Sequence, residues 1–448
     1  MTEMTEYEAL LRRLLPARRF GVDLGLGRIR VLLDRLGAPD RRMGTIVHVG
    51  GTNGKGSTVA MIAALAGTHG RVAAYTSPHL SSLRERIAID GAPIDEGAIC
   101  AAADAVRAAG GDALTFFEQL TAIACVAIAD ARVAVTVLEV GLGGRLDATN
   151  AIDAPVAVVT GVAMDHEAIL GGTLERIAAE KAGVFKRGQR VVIGASGEPA
   201  AVPVLDEAAR HAGASVITVI DEVAVAAVPP VLGLAGAHQR RNAAAALAAL
   251  DQLEVLGVVR VPAEARARAL AGVRHPGRFE VIEGGGGGGG GEGGGGGELP
   301  RVILDGAHNP HGARALAALV AERGDRPVLV VSVSADKDVR GIAEVLAPVV
   351  RAVIATRYQQ ERALPPADLA AVFRGALADR AAAPGAATGD VSTEEAPDLR
   401  SALAAARRFG APILVAGSLF LVGEARALLL GAPADPIAVS DPAAAPRP

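Results

Sequence analysis

The sequence predicts two α/β domains in series, a larger one that binds nucleotide phosphates followed by a smaller one. Three observations carry this. Short β-branched runs alternate with alanine-rich segments of helical spacing along most of the 448 residues, the pattern of parallel βα units. The alternation breaks near His275 and Pro276 and then restarts. One strand-to-helix junction is a glycine-rich loop that carries a lysine. The chain is too long for a single ordinary core, and a hydrophobic content of 50% excludes wholesale disorder.

In chain order, residues 46–49, 72–75, 133–138, 156–160 and 191–193 read as buried strands of the first domain. Between them 57–65, 115–129 and 173–182 carry helical spacing, and a long helix from 239 to about 256 ends the domain. In the second domain strands are expected at 302–304, 328–333, 352–356 and 413–415, which sets the domains at 1–274 and 275–431. Two strand-like pieces, 278–282 and 301–305, flank a run in which glycine fills 13 of the 14 positions from 284 to 297, with Glu292 the exception. That insertion reads either as a flexible lid or as an expanded hairpin tip; the high chain entropy of polyglycine, with nothing to bury, favours the tip. Residues 432–448, rich in Ala and Pro, read as a disordered tail.

Composition narrows the function. A formal net charge of -4 argues against a nucleic-acid partner. No apolar run approaches the roughly 18 residues of a membrane helix, and the first 15 residues carry acids and arginines rather than a signal-peptide pattern. Cys100 and Cys125 are too few for a disulfide framework or a cysteine metal site, so a cytoplasmic protein, with no membrane partner, is expected. Of the 45 Lys and Arg residues only four are lysines, Lys55, Lys181, Lys186 and Lys337, and Asn is confined to Asn53, Asn150, Asn242 and Asn309. Where Arg is written wherever charge alone matters, a surviving lysine marks a place that a guanidinium cannot fill. Lys186 is the one of these residues that reads as ordinary surface charge.

The strand 46–49 runs into Gly50-Gly51-Thr52-Asn53-Gly54-Lys55-Gly56-Ser57-Thr58 and then a helix. Glycines let backbone N–H groups turn onto phosphate oxygens, the helix N-terminus adds partial positive charge, and Lys55 supplies a point charge. A nucleoside triphosphate site made by Thr52, Asn53, Gly54, Lys55, Gly56 and Ser57 follows. The order departs from the standard phosphate-loop pattern: Gly56 follows the lysine, and the hydroxyl comes one residue later at Ser57.

That variant loop resembles the loop of the Mur ligase superfamily, and more closely that of its folylpolyglutamate synthase and dihydrofolate synthase branch. The resemblance extends through Leu24-Gly25-Leu26-Gly27-Arg28, Thr76-Ser77-Pro78-His79-Leu80, Leu114-Thr115-Phe116-Phe117-Glu118 and the stretch from Leu138-Glu139-Val140-Gly141 to Asp147-Ala148-Thr149-Asn150. It continues through Asp165-His166, Glu180-Lys181-Ala182-Gly183, His238-Gln239 with Asn242, Pro276-Gly277-Arg278-Phe279-Glu280, Asp305-Gly306-Ala307-His308-Asn309-Pro310 and Gly417-Ser418-Leu419. It implies a P-loop, Mur-ligase-like ATPase domain with a second, smaller Rossmann-like α/β domain.

A ligase driven by ATP activates a carboxylate as an acyl phosphate and then lets an amine attack, and the metal that bridges phosphate oxygens takes hard ligands. Glu139 ends a strand and His166 follows another, which puts both at the ligand-binding edge of a parallel sheet. Taken singly, Glu139 could cap a helix and His166 could be a satisfied loop residue. The resemblance implies that Ser77, Glu139 and His166 bind magnesium, with Ser57 touching the phosphates or the metal. It further implies that Lys181 is carbamylated and bridges to a second magnesium. By spacing alone Lys181 is a solvated partner of Glu180, but only a primary amine that can lose its proton accepts carbon dioxide.

In the second domain the resemblance implies that Arg278 and Asp305 touch ATP, with Asn242 contributing from the end of the first domain. It places His308 near the acyl phosphate and the incoming glutamate, and Ser418 near that glutamate; closure of one domain on the other would exclude water. On its own, Asp305-Gly306 reads as a turn. For a pterin, Phe117 would supply a flat wall and Asp147 a carboxylate for the amino-pyrimidine edge, with Thr115 beside them and Leu26, in the 24–27 stretch, on the other side. Phe116 and Phe117 are adjacent on a helix and point differently, so at least one belongs to the core.

The reading that follows is a monomeric, bifunctional dihydrofolate synthase/folylpolyglutamate synthase that uses ATP and magnesium to join L-glutamate to dihydropteroate and to reduced folates. A monofunctional folylpolyglutamate synthase is the nearest rival. A ligase acting on a peptidoglycan precursor is disfavoured by the few residues ahead of Gly50, and a P-loop switch or a folate-binding protein without catalysis stands further off.

Overall fold

The computed structural model describes residues 4–15, 25–284, 300–381, 391–437 and 439. They form two compact units, one of Met1–Leu234, His238–Arg274 and Asp435–Pro448, the other of Ala235–Ala237 and His275–Ala434.

The first unit is built on a sheet of eight strands: β1 Thr45–Gly50, β2 Val72–Tyr75, β3 Ile87–Ile89, β4 Ala92–Pro93, β5 Val135–Glu139, β6 Val156–Val159, β7 Arg190–Ile193 and β8 Val216–Val219. Their order is β4-β3-β2-β5-β1-β6-β7-β8. From β2 to β8 all neighbours are parallel, and β3 and β4 add an antiparallel edge. The middle strands β5 and β6 are buried along their whole length because both faces are covered, as a parallel sheet requires. Val47, Val49, Val135 and Val137 face one core with the helices Lys55–Gly67 and Ala237–Val255. Ile46 and Leu138 face another, filled by Glu6–Leu14, Gly27–Arg35, Glu96–Ala108 and Phe116–Ala131. Both cysteines are buried there as free thiols.

The second unit has six strands: β9 Glu280–Ile282, β10 Val302–Leu304, β11 Val328–Val331, β12 Ala352–Ala355, β13 Ser392–Glu395 and β14 Ile413–Ala416, in the order β13-β12-β11-β14-β10-β9. Only β9 is antiparallel; Ile282 pairs with Val302 and Glu280 with Leu304, so the two pieces flanking the glycine run do form a hairpin. Residues 285–297 of the run itself lie outside the described residues, as does Leu24.

The tail departs from its composition. Asp435 and Val439 belong to the first unit, and Val439 is buried in the core that holds Tyr7 and Leu83. The expectation of disorder from 432 onward is corrected at these residues; the rest of 440–448 lies outside the described ones. Among the described residues no helix is long and apolar enough to cross a membrane.

Candidate active site

Parallel strands end on one edge, and in the first unit the sequence-predicted residues follow those ends: the phosphate loop after β1, Ser77 after β2, Glu139 at the end of β5, His166 after β6. Register brings them side by side, with Val49 opposite Glu139 and Tyr75 opposite Leu138.

The loop itself is held from behind. Gly51 (φ 136°) and Gly54 (φ 84°) take conformations that L side chains avoid, and a Cβ there would meet Thr160 Oγ1 at 2.0 Å and Asn242 Oδ1 at 2.3 Å. Thr160 donates its hydroxyl to the Asn53 carbonyl at 2.7 Å, while Thr52 Oγ1 donates to Ala163 O at 3.1 Å and accepts from Ala163 N at 3.0 Å. Beneath, Ser196 Oγ donates to Asn242 Oδ1 (2.7 Å), Asn242 Nδ2 to Gln239 Oε1 (2.9 Å), and Gln239 Nε2 to Ser57 Oγ (3.3 Å). Asn242 is buried with both ends of its amide engaged, so the structure gives it the task of bracing Gly54. Helix Lys55–Gly67 starts with no side-chain cap and no acidic residue in its first turn, which leaves its N-terminal N–H groups and dipole for an anion.

Two lysines meet at this loop. Lys55 Nζ donates to Gly51 O at 3.2 Å and Thr52 O at 3.1 Å, and Lys181 Nζ donates to the same Gly51 O at 3.0 Å. The solvated Glu180–Lys181 pair is therefore not formed: Lys181 is buried, and Glu180 pairs instead with Arg145 at 2.7 Å. The Gly144–Arg145 backbone lies on the end of helix Leu174–Ala182, with Arg145 N bonded to Glu180 O and Asn150 Nδ2 bridging Arg145 O and Gly183 O.

Glu139 is buried, and its Oε2 accepts the Ser77 N–H at 3.2 Å. His166 caps the short helix Glu167–Leu170 in a left-handed conformation (φ 53°), with Asp165 beside its ring. Among the described residues no three His, Cys, Asp or Glu side chains gather into a metal centre. The donors on this edge are a hydroxyl, a carboxylate and an imidazole, an incomplete hard set that fits a cation sharing its coordination with phosphate oxygens.

Around the predicted pterin end, Phe116 is fully buried in the core and Phe117 is half-buried against its edge. The Phe117 ring lies so close to Gly141 that a Cβ there would come within 2.5 Å of Cζ. Thr115 caps the helix through a capping box with Glu118, whose Oε2 also accepts from Arg28 at 2.8 Å; this ion pair ties the Leu26 segment to the Thr115 segment. Asp147, expected to offer its carboxylate to an amino-pyrimidine edge, already accepts hydrogen bonds from its own loop. It is buried, with Oδ2 accepting from Leu142 N at 2.9 Å and Oδ1 from Thr149 N at 3.0 Å and from the Thr149 hydroxyl. Burial raises its pKa while these donors lower it, and the carboxylate serves as the staple of its own loop. Thr149 in turn accepts from His48 Nε2 at 2.8 Å; burial lowers the His48 pKa to about 3, so the ring is neutral. Lys186 is not loose surface charge either: its Nζ donates to Asn150 O, Ile152 O and Asp153.

In the second unit the strand ends again carry the predicted residues. Asp305 follows β10 and accepts from Phe279 N and Ala307 N, both at 2.9 Å; desolvation raises its pKa and Arg278 pulls it down. Arg278 lies over Gly306, where a Cβ would stand 2.4 Å from its Nη1. His308 Nδ1 meets Gly306 O at 2.8 Å, and since a carbonyl only accepts, Nδ1 carries the proton. Asn309 caps helix Pro310–Arg323. Ser418 is buried at the start of helix Leu419–Leu430, against Tyr358, whose hydroxyl also meets Ser334 Oγ at 2.6 Å.

Comparison with known proteins agrees with this architecture. The Mur ligase middle domain family matches residues 49–220, and the family described as Mur ligase, glutamate ligase domain matches 277–419. A Mycobacterium tuberculosis protein named dihydrofolate synthase/folylpolyglutamate synthase is 37% identical over 406 residues, 81% of this chain and 80% of its own. The chain belongs to the folylpolyglutamate synthase/dihydrofolate synthase family. The Mycobacterium tuberculosis folylpolyglutamate synthase complexed with ADP superposes with a TM-score of 0.80 at 33% identity, covering 96% of this chain and 100% of that one. The bifunctional folylpolyglutamate synthase/dihydrofolate synthase of Yersinia pestis, complexed with AMPPNP and Mn ion, gives 0.78 at 29% identity over 96% and 100%.

Two members of this chain's loop support were not foreseen from sequence, Thr160 and Ser196. Each is a small hydroxyl residue without a motif of its own, identifiable only by the backbone or amide that it touches.

Proposed function

We propose that the protein is a bifunctional dihydrofolate synthase/folylpolyglutamate synthase, an ATP-dependent ligase that forms a C–N bond between L-glutamate and dihydropteroate or a reduced folate. The observation that carries the reading is the convergence of Lys55, Lys181 and an uncapped helix N-terminus on the Gly51–Gly54 loop. That arrangement is made for a polyphosphate, and two cations on one carbonyl call for negative charge between them.

The pteroate or folate carboxylate attacks the γ-phosphorus of ATP, giving an acyl phosphate and ADP; the glutamate amine then attacks the acyl carbon and phosphate leaves. Lys55 and the loop N–H groups hold the transferring phosphoryl group. Ser77, Glu139 and His166 would hold magnesium, with Ser57 beside the phosphates. Bound there, magnesium supplies charge neutralisation on phosphate oxygens. Carbamylation of Lys181 would turn a second cation beside Lys55 into an anion able to join a second magnesium. The carbamate nitrogen keeps one N–H, so the bond to Gly51 O survives the modification. His308, protonated on Nδ1, offers Nε2 as the acceptor for the proton that the attacking amine loses. Arg278 and Asp305 would contact ATP, Ser418 the glutamate, and Phe117, Thr115 and Leu26 the pterin. Asp147 shapes that wall from within its loop.

The test is phosphate release from ATP with dihydropteroate or tetrahydrofolate as carboxylate donor. Release that needs donor and L-glutamate together is expected for both; ATP hydrolysis without either would make the protein a switch, and activity with tetrahydrofolate alone would make it monofunctional. The same reading makes it a cytoplasmic monomer whose partners are small molecules, and gel filtration checks the oligomeric state.

A further inference from the structure

The described residues of the C-terminal segment bind the loop that follows β2 through one side chain and one backbone group. Asp435 donates its N–H to Ser81 O at 2.9 Å, accepts Tyr7 Oη–H on Oδ1 at 2.9 Å, and accepts Leu83 N–H on Oδ2 at 2.7 Å. Val439 is buried in the core that also holds Tyr7, Leu10 and Leu83, and Ile437 packs against that core. The loop so held is the one that carries Ser77. Its near end is tied by Ser77 N to Glu139 and by Thr76 N to Arg86 O, and Glu85 collects the N–H groups of Leu80, Ser81 and Ser82. Asp435 adds anchors at Ser81 and Leu83 from more than 350 residues away in sequence. Such a distant tether removes the loop's freedom to slide along its own hairpin, which local bonds within 76–86 do not do.

We propose that Asp435, with Ile437 and Val439, forms a strap that fixes the Ser77 loop, and that Asp435 is a positioning residue for the nucleotide–metal site. This rests on Ser77 being a metal ligand, and the experiment separates the two claims. In the full-length protein, Asp435→Ala is compared with wild type by hydrogen–deuterium exchange of peptides covering 80–86 and by Mn2+ binding in the presence of ADP, followed by electron paramagnetic resonance. Losing the charged acceptor is expected to speed exchange at Leu83 and weaken Mn2+ binding by about three- to tenfold. Exchange in the second unit and the KM for glutamate stay unchanged. Tyr7→Phe, which removes one of the two acceptances and spares the carboxylate, moves both readouts in the same direction by less, and serves if Asp435→Ala folds poorly. Unchanged exchange at 80–86, or unchanged Mn2+ affinity, in both variants overturns the strap. Ser77→Ala tests the other claim: Mn2+ affinity unaffected by that change removes Ser77 from the ligand set, whatever Asp435 does.

Discussion

Gly54→Ala tests the account of the phosphate loop most sharply. An alanine there must hold φ near 84°, at a cost of about 1 kcal/mol or a little more, and its Cβ would stand 2.3 Å from Asn242 Oδ1. The amide has to move, which breaks its bonds to Ser196 and Gln239, at about 1 kcal/mol each. Together these come to about 3 kcal/mol against the phosphate-binding conformation, or a loss of about 150-fold in ADP affinity. Asn242→Ala alone loses the same two bonds and leaves their partners unsatisfied, at about 2–3 kcal/mol. In the double variant there is no amide left to displace, so only the backbone strain adds to the Asn242→Ala loss. The pair should then fall short of additivity by about 2 kcal/mol, roughly 30-fold. Titration of the four proteins with a fluorescent ADP analogue, with melting temperatures as the check on folding, measures this. Strict additivity would refute the claim that Asn242 is what forbids a side chain at 54.

Lys181→Arg should abolish ligation while the melting temperature stays near wild type, and removal of dissolved carbon dioxide should lower wild-type activity until bicarbonate restores it; ligation that survives the substitution rules out the carbamate. Deleting residues 284–297 and joining the ends with a short turn should leave turnover largely unchanged, because the Ile282–Val302 pairing sets the hairpin register; a severe loss would make the run a working lid. For His48 the sign is fixed by its lowered pKa, about 3 in the folded protein against an ordinary 6.5. Between those values the unfolded chain binds the extra proton, so this residue's share of stability is present above pH 6.5 and is lost as pH falls, at about 1.4 kcal/mol per unit. Urea unfolding of His48→Gln followed by circular dichroism should show a shallower decline from pH 6.5 to 4.5 than wild type, and parallel declines would contradict the assignment.

The core strands were legible because a sheet covered on both faces is written mostly in β-branched and other apolar residues; β2 and β10 match their expected bounds. The edges were not. β4 is two residues ending in Pro93 and β13 is Ser-Thr-Glu-Glu, so neither leaves a hydrophobic signature; β8, Val-Ile-Thr-Val, carries one although it is half-exposed in the structure. The phosphate loop was legible for a related reason: its glycines are demanded by backbone geometry that no other residue meets. What sequence could not distinguish was a carboxylate or amide facing a ligand from one spent on its own loop. Asp147 and Asn242 have the residue types of a binding site, and only their partners reveal that one staples a turn and the other props up Gly54. Lys186 was misread for the opposite reason, since nothing local announces three acceptors brought together from 150–153.

The return of the chain to its starting unit also sets a schedule for its birth. Tyr7 and Asp435 are 428 residues apart, so at about 5–20 residues per second the tyrosine waits on the order of 20 to 90 s on a working ribosome before its partner is made. Throughout that interval helix Glu6–Leu14 can bury Tyr7, Leu10, Leu11 and Leu14 only against neighbours already synthesised. Helix Glu6–Leu14 is thus locked in place only after more than 400 later residues have been made.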